Sequence, residues 1–244
     1  MIEAFKLIDR YLCCSGLWVF ASNSEYKILR INSSSNHEIA GFGVKANNER
    51  SKQLLEGIYT TFYDRSFRHV FDYQDYIKAL GNNWRTVRMV EACLPSVIKA
   101  AETKGASSLA EHLKNVEIEE CGHSKLLEND IISLGLNFNE IPPTEFEKYI
   151  ERLASKEEIW QFIGVGLALE RNANEVDFNL INTLCEEYPQ LVNARSFYKI
   201  HSFSGEDDMH YESAIAFFST LDNQSKLLVL RGYEKALEKM QLLF

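Results

Sequence analysis

Acidic side chains and histidines recur together in three segments of this 244-residue chain, at spacings that suit metal coordination. In the first segment, Glu120 and His123 have the spacing Glu-x-x-His, with which the helices of a bundle present a carboxylate and an imidazole to one metal ion. Glu119 lies four residues before His123 and is the alternative carboxylate at helical spacing. The first segment therefore predicts one carboxylate ligand and one imidazole ligand, with the choice between the two acids open.

The helix predicted around this pair carries further polar side chains on the face that it should bury. Residues 107–133 read as a single helix that ends before Gly135. At about 100° per residue, His112 and Asp130 fall within about 40° of His123 on the helical wheel, among apolar residues. Ionisable groups buried in such a row need partners or a metal ion. The wheel therefore predicts a line of ionisable groups inside the protein.

A second acid stands at the end of a strongly apolar stretch. Glu170 ends the sequence GVGLALE and shares a helical stripe with Phe162 and Ile163. A lone acid at a helix end often reaches water, and Arg171 follows at once. The sequence leaves a buried and a solvent-exposed position of this carboxylate equally open.

The third segment is HSFSGEDDMH, near the end of the chain. Asp207 and His210 have the spacing Asp-x-x-His, and Glu206 lies four residues before the same histidine. Gly205 can interrupt the helix and let His201 turn back toward them. Carboxylate and imidazole ligands, without cysteines at ligand spacing, suit non-heme iron or manganese better than structural zinc, which favours thiolates.

Composition and charge exclude several classes of protein. The formal net charge is -9, and the calculated pI of about 5.3 argues against nucleic acid as the main partner. The five cysteines are scattered without a Cys-x-x-Cys pair, so neither a disulfide framework nor a zinc knuckle is indicated. No apolar run approaches the roughly 20 residues of a membrane-spanning helix. We therefore expect a cytoplasmic protein that binds neither nucleic acid nor a membrane.

These segments belong to a succession of predicted helices. Residues 1–46 form an appendage in which the alternating stretch 26–31 predicts a strand or hairpin. Residues 47–244 form one helical domain, whose first helix is capped by Asn47 or Asn48 and ends at the break 81–83. Later helices are predicted over 84–104, 107–133, 144–154, 156–172, 175–187, 189–203, 206–221 and 225–242. The fold class predicted is all-α, with short connections that make an antiparallel bundle.

The order of three motifs resembles one known family. Over about residues 47–242 the chain is similar to the heme-oxygenase-like di-iron oxidases, with kin among thiaminase II and pyrroloquinoline-quinone synthase proteins. The resemblance rests on EECGHSKLLENDIISLGL, then GVGLALE, then FYKIHSFSGEDDMH. It implies a heme-oxygenase-like bundle of about seven helices that holds two Fe(II) ions, with manganese as an alternative metal.

The resemblance also assigns the ligands. It implies that one acid and one histidine come from the first motif, one acid from the second, and two histidines and one acid from the third. On this chain those residues are Glu119 or Glu120 with His123, then Glu170, then His201, Asp207 and His210. The resemblance also implies that His112 and Asp130 orient these ligands without binding the metal themselves. The chain departs from the family pattern at Val116, where the family has its first Glu, and in the five residues between His201 and Asp207.

The function implied is the activation of O2 for the oxidation of a small organic substrate. One alternative is a metal-free hydrolase similar to thiaminase II, with Cys121 as the nucleophile. Another is a non-catalytic binding protein with this fold. Heme binding ranks last, because Gly164-x-Gly166 is a weak signal for a helix beside a heme. A homodimer is compatible with all of these.

Overall fold

A computed structural model describes the backbone in six ranges. These are residues 17–22, 25–30, 40–63, 72–173, 178–203 and 206–241, with side chains described over 47–62, 72–173, 178–200 and 210–241. From residue 40 onward the described backbone is helical apart from short connections. The predicted all-α fold is therefore confirmed.

The described backbone before residue 40 consists of two strands, and the prediction of a hairpin there stays a prediction. Strands β1 (Leu17–Ser22) and β2 (Glu25–Arg30) are antiparallel, with Leu17 opposite Arg30 and Ser22 opposite Glu25. No other sheet occurs in the described ranges.

Ten α-helices follow in the described backbone, together with two short 3₁₀ helices at Phe138–Glu140 and Pro189–Asn193. None of these helices is both long and apolar enough to cross a bilayer. In chain order they are α1 (Ala40–Tyr63), α2 (Tyr73–Thr103), α3 (Ser107–Glu120), α4 (His123–Ser133), α5 (Glu145–Ser155), α6 (Ile159–Ala173), α7 (Phe178–Glu187), α8 (Ser196–Phe203), α9 (Glu206–Thr220) and α10 (Asn223–Met240).

Two predictions about the first helices are wrong. Helix α1 begins at Ala40 rather than after a cap at 47–48. Helix α2 runs through Gly81 without a break, and this glycine is buried, with the Ile141 side chain 3.3 Å from where a Cβ would lie. The division at residue 46 stays a prediction, although α1 crosses it.

The predicted single helix over 107–133 is two helices. The chain turns at Cys121 and Gly122, where Gly122 has a left-handed φ of 94°, so the helical wheel does not continue across it. The carboxylate of Glu91 on α2 accepts from the backbone N–H of Gly122 at 3.2 Å and of Ser124 at 3.0 Å. These bonds satisfy backbone donors that the interrupted helix leaves open.

The side chains pack into two cores that share α2. The larger core combines α1, the second half of α2, α3, α5, α6, α9 and α10. The smaller core combines the first half of α2 with α4, α7, α8 and Leu191. Because α2 is 31 residues long, one helix carries both cores.

The backbones of helices α6 and α10 approach each other so closely at Gly164 and Gly232 that no side chain fits between them. A Cβ on Gly164 would lie 2.2 Å from the backbone oxygen of Val229, and a Cβ on Gly232 would lie 2.1 Å from that of Gln161. Only glycine permits this contact between two backbones. The crossing therefore fixes the position of α6.

We predict that Glu157→Gly stabilises the protein. Among the described residues, Glu157 is the only non-glycine with positive φ, at 53°, and it closes α5 in a turn where the Glu158 N–H donates to the Leu153 oxygen at 2.9 Å. Glycine adopts this conformation without strain, so we expect the melting temperature to rise by about 1–4 °C.

The control for this prediction is Glu157→Ala. Either substitution removes the exposed ion pair of Glu157 with Lys104, at 3.2 Å, but only glycine relieves the backbone. Equal melting temperatures of the two variants in thermal unfolding would contradict the prediction.

Candidate metal centre

The first acid and imidazole pair forms at the break between α3 and α4. Glu120 ends α3, His123 begins α4, and the turn between them brings Oε2 of Glu120 within 3.0 Å of Nδ1 of His123. The two side chains are 18% and 14% exposed. Glu119 is exposed, so Glu120 is the acid that the structure brings to this histidine. The His123 ring also meets the Phe197 ring edge to face, at 6.0 Å between centroids.

The second pair joins two helices of the larger core. Oε2 of Glu170 on α6 lies 4.0 Å from Nδ1 of His210 on α9, and the two side chains are 19% and 21% exposed. The carboxylate of Glu170, which the sequence left open between a buried and an exposed position, is therefore mostly buried. A separation of 4.0 Å is too long for a hydrogen bond. It is within reach of two bonds of about 2.1 Å each to a shared metal ion.

A polar network lies directly beside this second pair. Both carboxylate oxygens of Glu56 on α1 accept from Nε of Arg171, at 2.8 and 2.9 Å, and the Tyr211 hydroxyl donates to Oε1 at 2.9 Å. We call these three residues the Glu56 bridge. Arg171 also lies over the Tyr59 ring, 4.1 Å from its centroid. Burial, the charge of Glu56 and its hydrogen bond with Tyr211 raise the pKa of the Tyr211 hydroxyl.

The Glu56 bridge could not be predicted from the sequence. Glu56 is separated from Arg171 by 115 positions and from Tyr211 by 155. The only available signal was that an arginine follows Glu170 in an otherwise apolar helix.

His112 does not share a face with His123, because the helix that would connect them is broken. Its ring stacks on Phe217 of α9, with centroids 4.2 Å apart and planes 7° apart. Burial lowers the pKa of His112, which favours the neutral imidazole. The predicted row of ionisable groups along one helix is therefore wrong.

Asp130 is almost fully buried, at 1% exposure, and anchors the start of α8. Its Oδ2 accepts from the backbone N–H of Phe197 at 3.0 Å. Burial raises the pKa of Asp130, and hydrogen bonds from Phe197 and Ser196 offset part of that rise. In this position Asp130 acts as a cap supplied to α8 by another helix.

Removing the cap at Asp130 is predicted to destabilise the protein, and the effect of its charge depends on pH. Asp130→Ala removes the acceptor for Phe197 N–H and should lower the free energy of unfolding by about 1–2 kcal/mol. Because the folded pKa lies above the ordinary 3.8, the folded state binds more protons between the unfolded and folded values. Stability of the parent therefore falls as pH rises through that interval.

Asp130→Asn separates these two effects. Asparagine keeps an acceptor oxygen but does not ionise, so its stability relative to the parent should increase from about pH 4 to pH 7. Urea unfolding of parent and variant at both pH values measures this difference. A difference that stays constant with pH would contradict the assignment.

Two of the predicted ligands have side chains outside the described residues. The backbone places His201 on α8 and Asp207 on α9, three residues before His210. The predicted break at Gly205 lies outside the described ranges as well.

The acids and imidazoles that the structure does describe meet in pairs. Within the described side chains, no group of three or more His, Cys, Asp or Glu residues could hold a metal ion. The neighbours of the two pairs also belong to different cores, since Phe197 packs on the smaller core and Tyr211 belongs to the larger. Each pair therefore supplies one oxygen and one nitrogen donor at its own position.

A shallow pocket of about 360 Å³ opens at the start of α6. Trp160, Gln161, Leu228 and the ion pair of Lys104 with Glu157 line it. Glu170 is near the other end of the same helix, about 15 Å away along the axis. The pocket is therefore separate from the Glu170 and His210 pair.

The cysteines with described side chains differ in exposure. Cys121 is exposed in the turn between α3 and α4, whereas Cys93 and Cys185 are buried. Burial raises the pKa of both buried thiols. Cys121, the nucleophile of the alternative hydrolase, is thus accessible and lies between the two members of the first pair.

Comparisons of the chain with protein-family models, with curated proteins and with solved structures give no match. The similarity to heme-oxygenase-like di-iron oxidases therefore stays a prediction from the three motifs.

Proposed function

We propose that this protein is a non-heme iron oxidase that activates O2 to oxidise a small organic substrate. Its metal site would form around Glu170 and His210, with Glu120 and His123 as donors for a second ion. His201 and Asp207 are the further ligands that the proposal requires. Manganese is the alternative metal for the same oxygen and nitrogen donors.

The observation that carries the proposal is the geometry of Glu170 and His210. A carboxylate and an imidazole from two core helices face each other at 4.0 Å, mostly covered, at a distance that exceeds a hydrogen bond and suits a shared cation. This supports a cation site between α6 and α9.

Iron bound there would supply the electrons that reduce O2. The chain itself contributes the donor atoms and their surroundings. Glu170 would provide an anionic oxygen and His210 a neutral nitrogen. Leu167, which lies one turn before Glu170 on α6 and is 1% exposed, would limit the access of water from that side. Keeping water out protects an oxidising site from side reactions.

The test is anaerobic loading with Fe(II). The protein is incubated with Fe(II) without oxygen, desalted, and assayed for iron with a colorimetric chelator. It is then exposed to O2, and oxygen consumption is followed with an electrode. We expect the protein to retain stoichiometric iron and to consume O2 beyond the rate of the buffer with free iron. Protein that retains no iron would refute the proposal.

Cys121→Ala is the matched control, because position 121 lies between Glu120 and His123 and contributes no oxygen or nitrogen donor. In an iron oxidase, this variant should retain iron and consume O2 like the parent. If the parent retained no iron and hydrolysed a small substrate, and Cys121→Ala abolished that hydrolysis, the metal-free hydrolase would replace the iron oxidase.

A further inference from the structure

The Glu56 bridge is in register with the Glu170 and His210 pair. Arg171 directly follows Glu170 on α6, and Tyr211 directly follows His210 on α9. Because successive residues of a helix rise by about 1.5 Å, the bridge and the pair lie at the same level of the two helices. Glu56 reaches this level from a third helix, α1.

The bridge also holds the positively charged guanidinium of Arg171 in place. Arg171 is always protonated, and its neighbour in the sequence is the carboxylate proposed to bind a metal ion. A guanidinium that moved to this carboxylate would compete with a cation for it and would repel that cation. Glu56 holds Nε of Arg171 through both of its oxygens, and the Tyr59 ring lies beneath the guanidinium, 4.1 Å from its carbon.

The second arm of the bridge strengthens this arrangement. Tyr211 is 3% exposed and donates to the same Glu56 oxygen, Oε1, that receives Arg171 at 2.8 Å. Tyr233 of α10, which is fully buried, interacts with Tyr211 and donates weakly to the Leu55 oxygen at 3.4 Å. Glu56 is therefore fixed from two sides, although its own side chain is 31% exposed.

We propose that Glu56 is a positioning residue that keeps the charge of Arg171 away from the Glu170 and His210 site. This inference rests on the proposed function, since it concerns the same metal site. It assigns Glu56 no bond to the metal. Its effect is to leave the Glu170 carboxylate available to a cation.

Co(II) tests this inference, because it occupies oxygen and nitrogen sites and reports its coordination through visible absorption. The parent, Glu56→Gln, Arg171→Met and the double variant are titrated with Co(II). We expect Glu56→Gln to bind about 10-fold more weakly, as for other residues that orient metal ligands, and to shift the visible bands. Arg171→Met should bind at least as tightly as the parent, and the double variant should recover most of the parent's affinity.

Glu49→Gln is the matched control, since Glu49 is an exposed acid two turns earlier on α1 that accepts from Gln53. It should bind Co(II) like the parent. Thermal unfolding of every variant checks that the fold is retained. If Glu56→Gln does not fold, Arg171→Met still tests the inference, because weaker Co(II) binding on removal of the cation would overturn it.

The remaining outcomes separate this inference from the proposed function. A parent that binds no Co(II) and no Fe(II) overturns both. A parent that binds Co(II), with Glu56→Gln binding equally well, overturns the role of Glu56 alone. A double variant that remains as weak as Glu56→Gln also overturns it, because the loss would then not come from the charge of Arg171.

Discussion

Gly164→Ala should destabilise the protein by about 3 kcal/mol and lower its melting temperature by about 6–12 °C. The added Cβ would lie 2.2 Å from the Val229 oxygen and 2.4 Å from the Tyr233 nitrogen. Both are backbone atoms inside the larger core, so no flexible side chain can give way. The helices α6 and α10 must separate, and the apolar contacts on either side of the crossing loosen with them.

Gly166→Ala is the control in the same helix. A Cβ on Gly166 meets no atom within 4 Å, so alanine adds helix propensity without a collision. We expect this variant to be more stable than the parent by about 0.5–1 kcal/mol. The two substitutions are chemically identical and two residues apart, so thermal unfolding isolates the effect of the crossing. Equal destabilisation by both would mean that the close approach is wrong.

Gly232→Ala tests the crossing from its other side. Its Cβ would lie 2.1 Å from the Gln161 oxygen, so a similar loss is expected. Once one alanine has separated α6 from α10, the Cβ of the second alanine collides less with the opposite backbone and costs less stability. The double variant Gly164→Ala with Gly232→Ala should therefore be destabilised by less than the sum of the two.

Helix ends that depend on local side chains could be predicted from the sequence. Helix α5 begins after Thr144, which forms a capping box with Glu147, and the prediction of a helix from 144 to 154 is confirmed within one residue. The predicted stops at Gly105 and Gly135 are also confirmed, since both have a φ of 71° after a helix end. These signals lie within four residues of the end they specify.

Helix breaks that depend on distant partners could not be predicted. Gly81 and Gly122 both have polar neighbours in the sequence, yet α2 continues through Gly81 and the chain turns at Gly122. In the structure, Ile141 covers Gly81, whereas Glu91 accepts backbone hydrogen bonds at the turn. Both partners are more than 30 residues away in the sequence. The helical wheel placed His112 and His123 on one face because it assumed a continuous helix. That prediction is wrong because the helix is interrupted at Gly122.

The residues of the candidate site, like the helix ends, could be predicted only in part from the sequence. Helical spacing and the family resemblance together named Glu170 and His210, and the structure places their carboxylate and imidazole 4.0 Å apart across two helices. Helical periodicity predicts on which face of its helix a residue lies, but it does not predict how far that residue is from a residue on another helix. That distance is set by packing between residues that are far apart in the chain.

Metal binding should stabilise the parent and fail to stabilise the ligand variants. An ion that binds only the folded protein, at 100 times its dissociation constant, adds about 2.7 kcal/mol, or about 5–11 °C in melting temperature. Under anaerobic conditions with Fe(II), we expect this rise in the parent and no rise at the same concentration in His210→Ala or Glu170→Ala. Retained iron, measured after desalting, should fall in parallel.

The control is His112→Phe, which removes a histidine but keeps an aromatic ring on Phe217. It should show the full rise in melting temperature. His123→Ala then decides how many ions the protein holds, because the two described pairs lie beside different cores. If each pair holds its own ion, His123→Ala and His210→Ala each remove part of the bound iron. If one variant removes all of it, the ions depend on each other. If His210→Ala and Glu170→Ala load iron and gain stability like the parent, the site lies elsewhere, and the 4.0 Å separation of Glu170 and His210 is only a feature of packing.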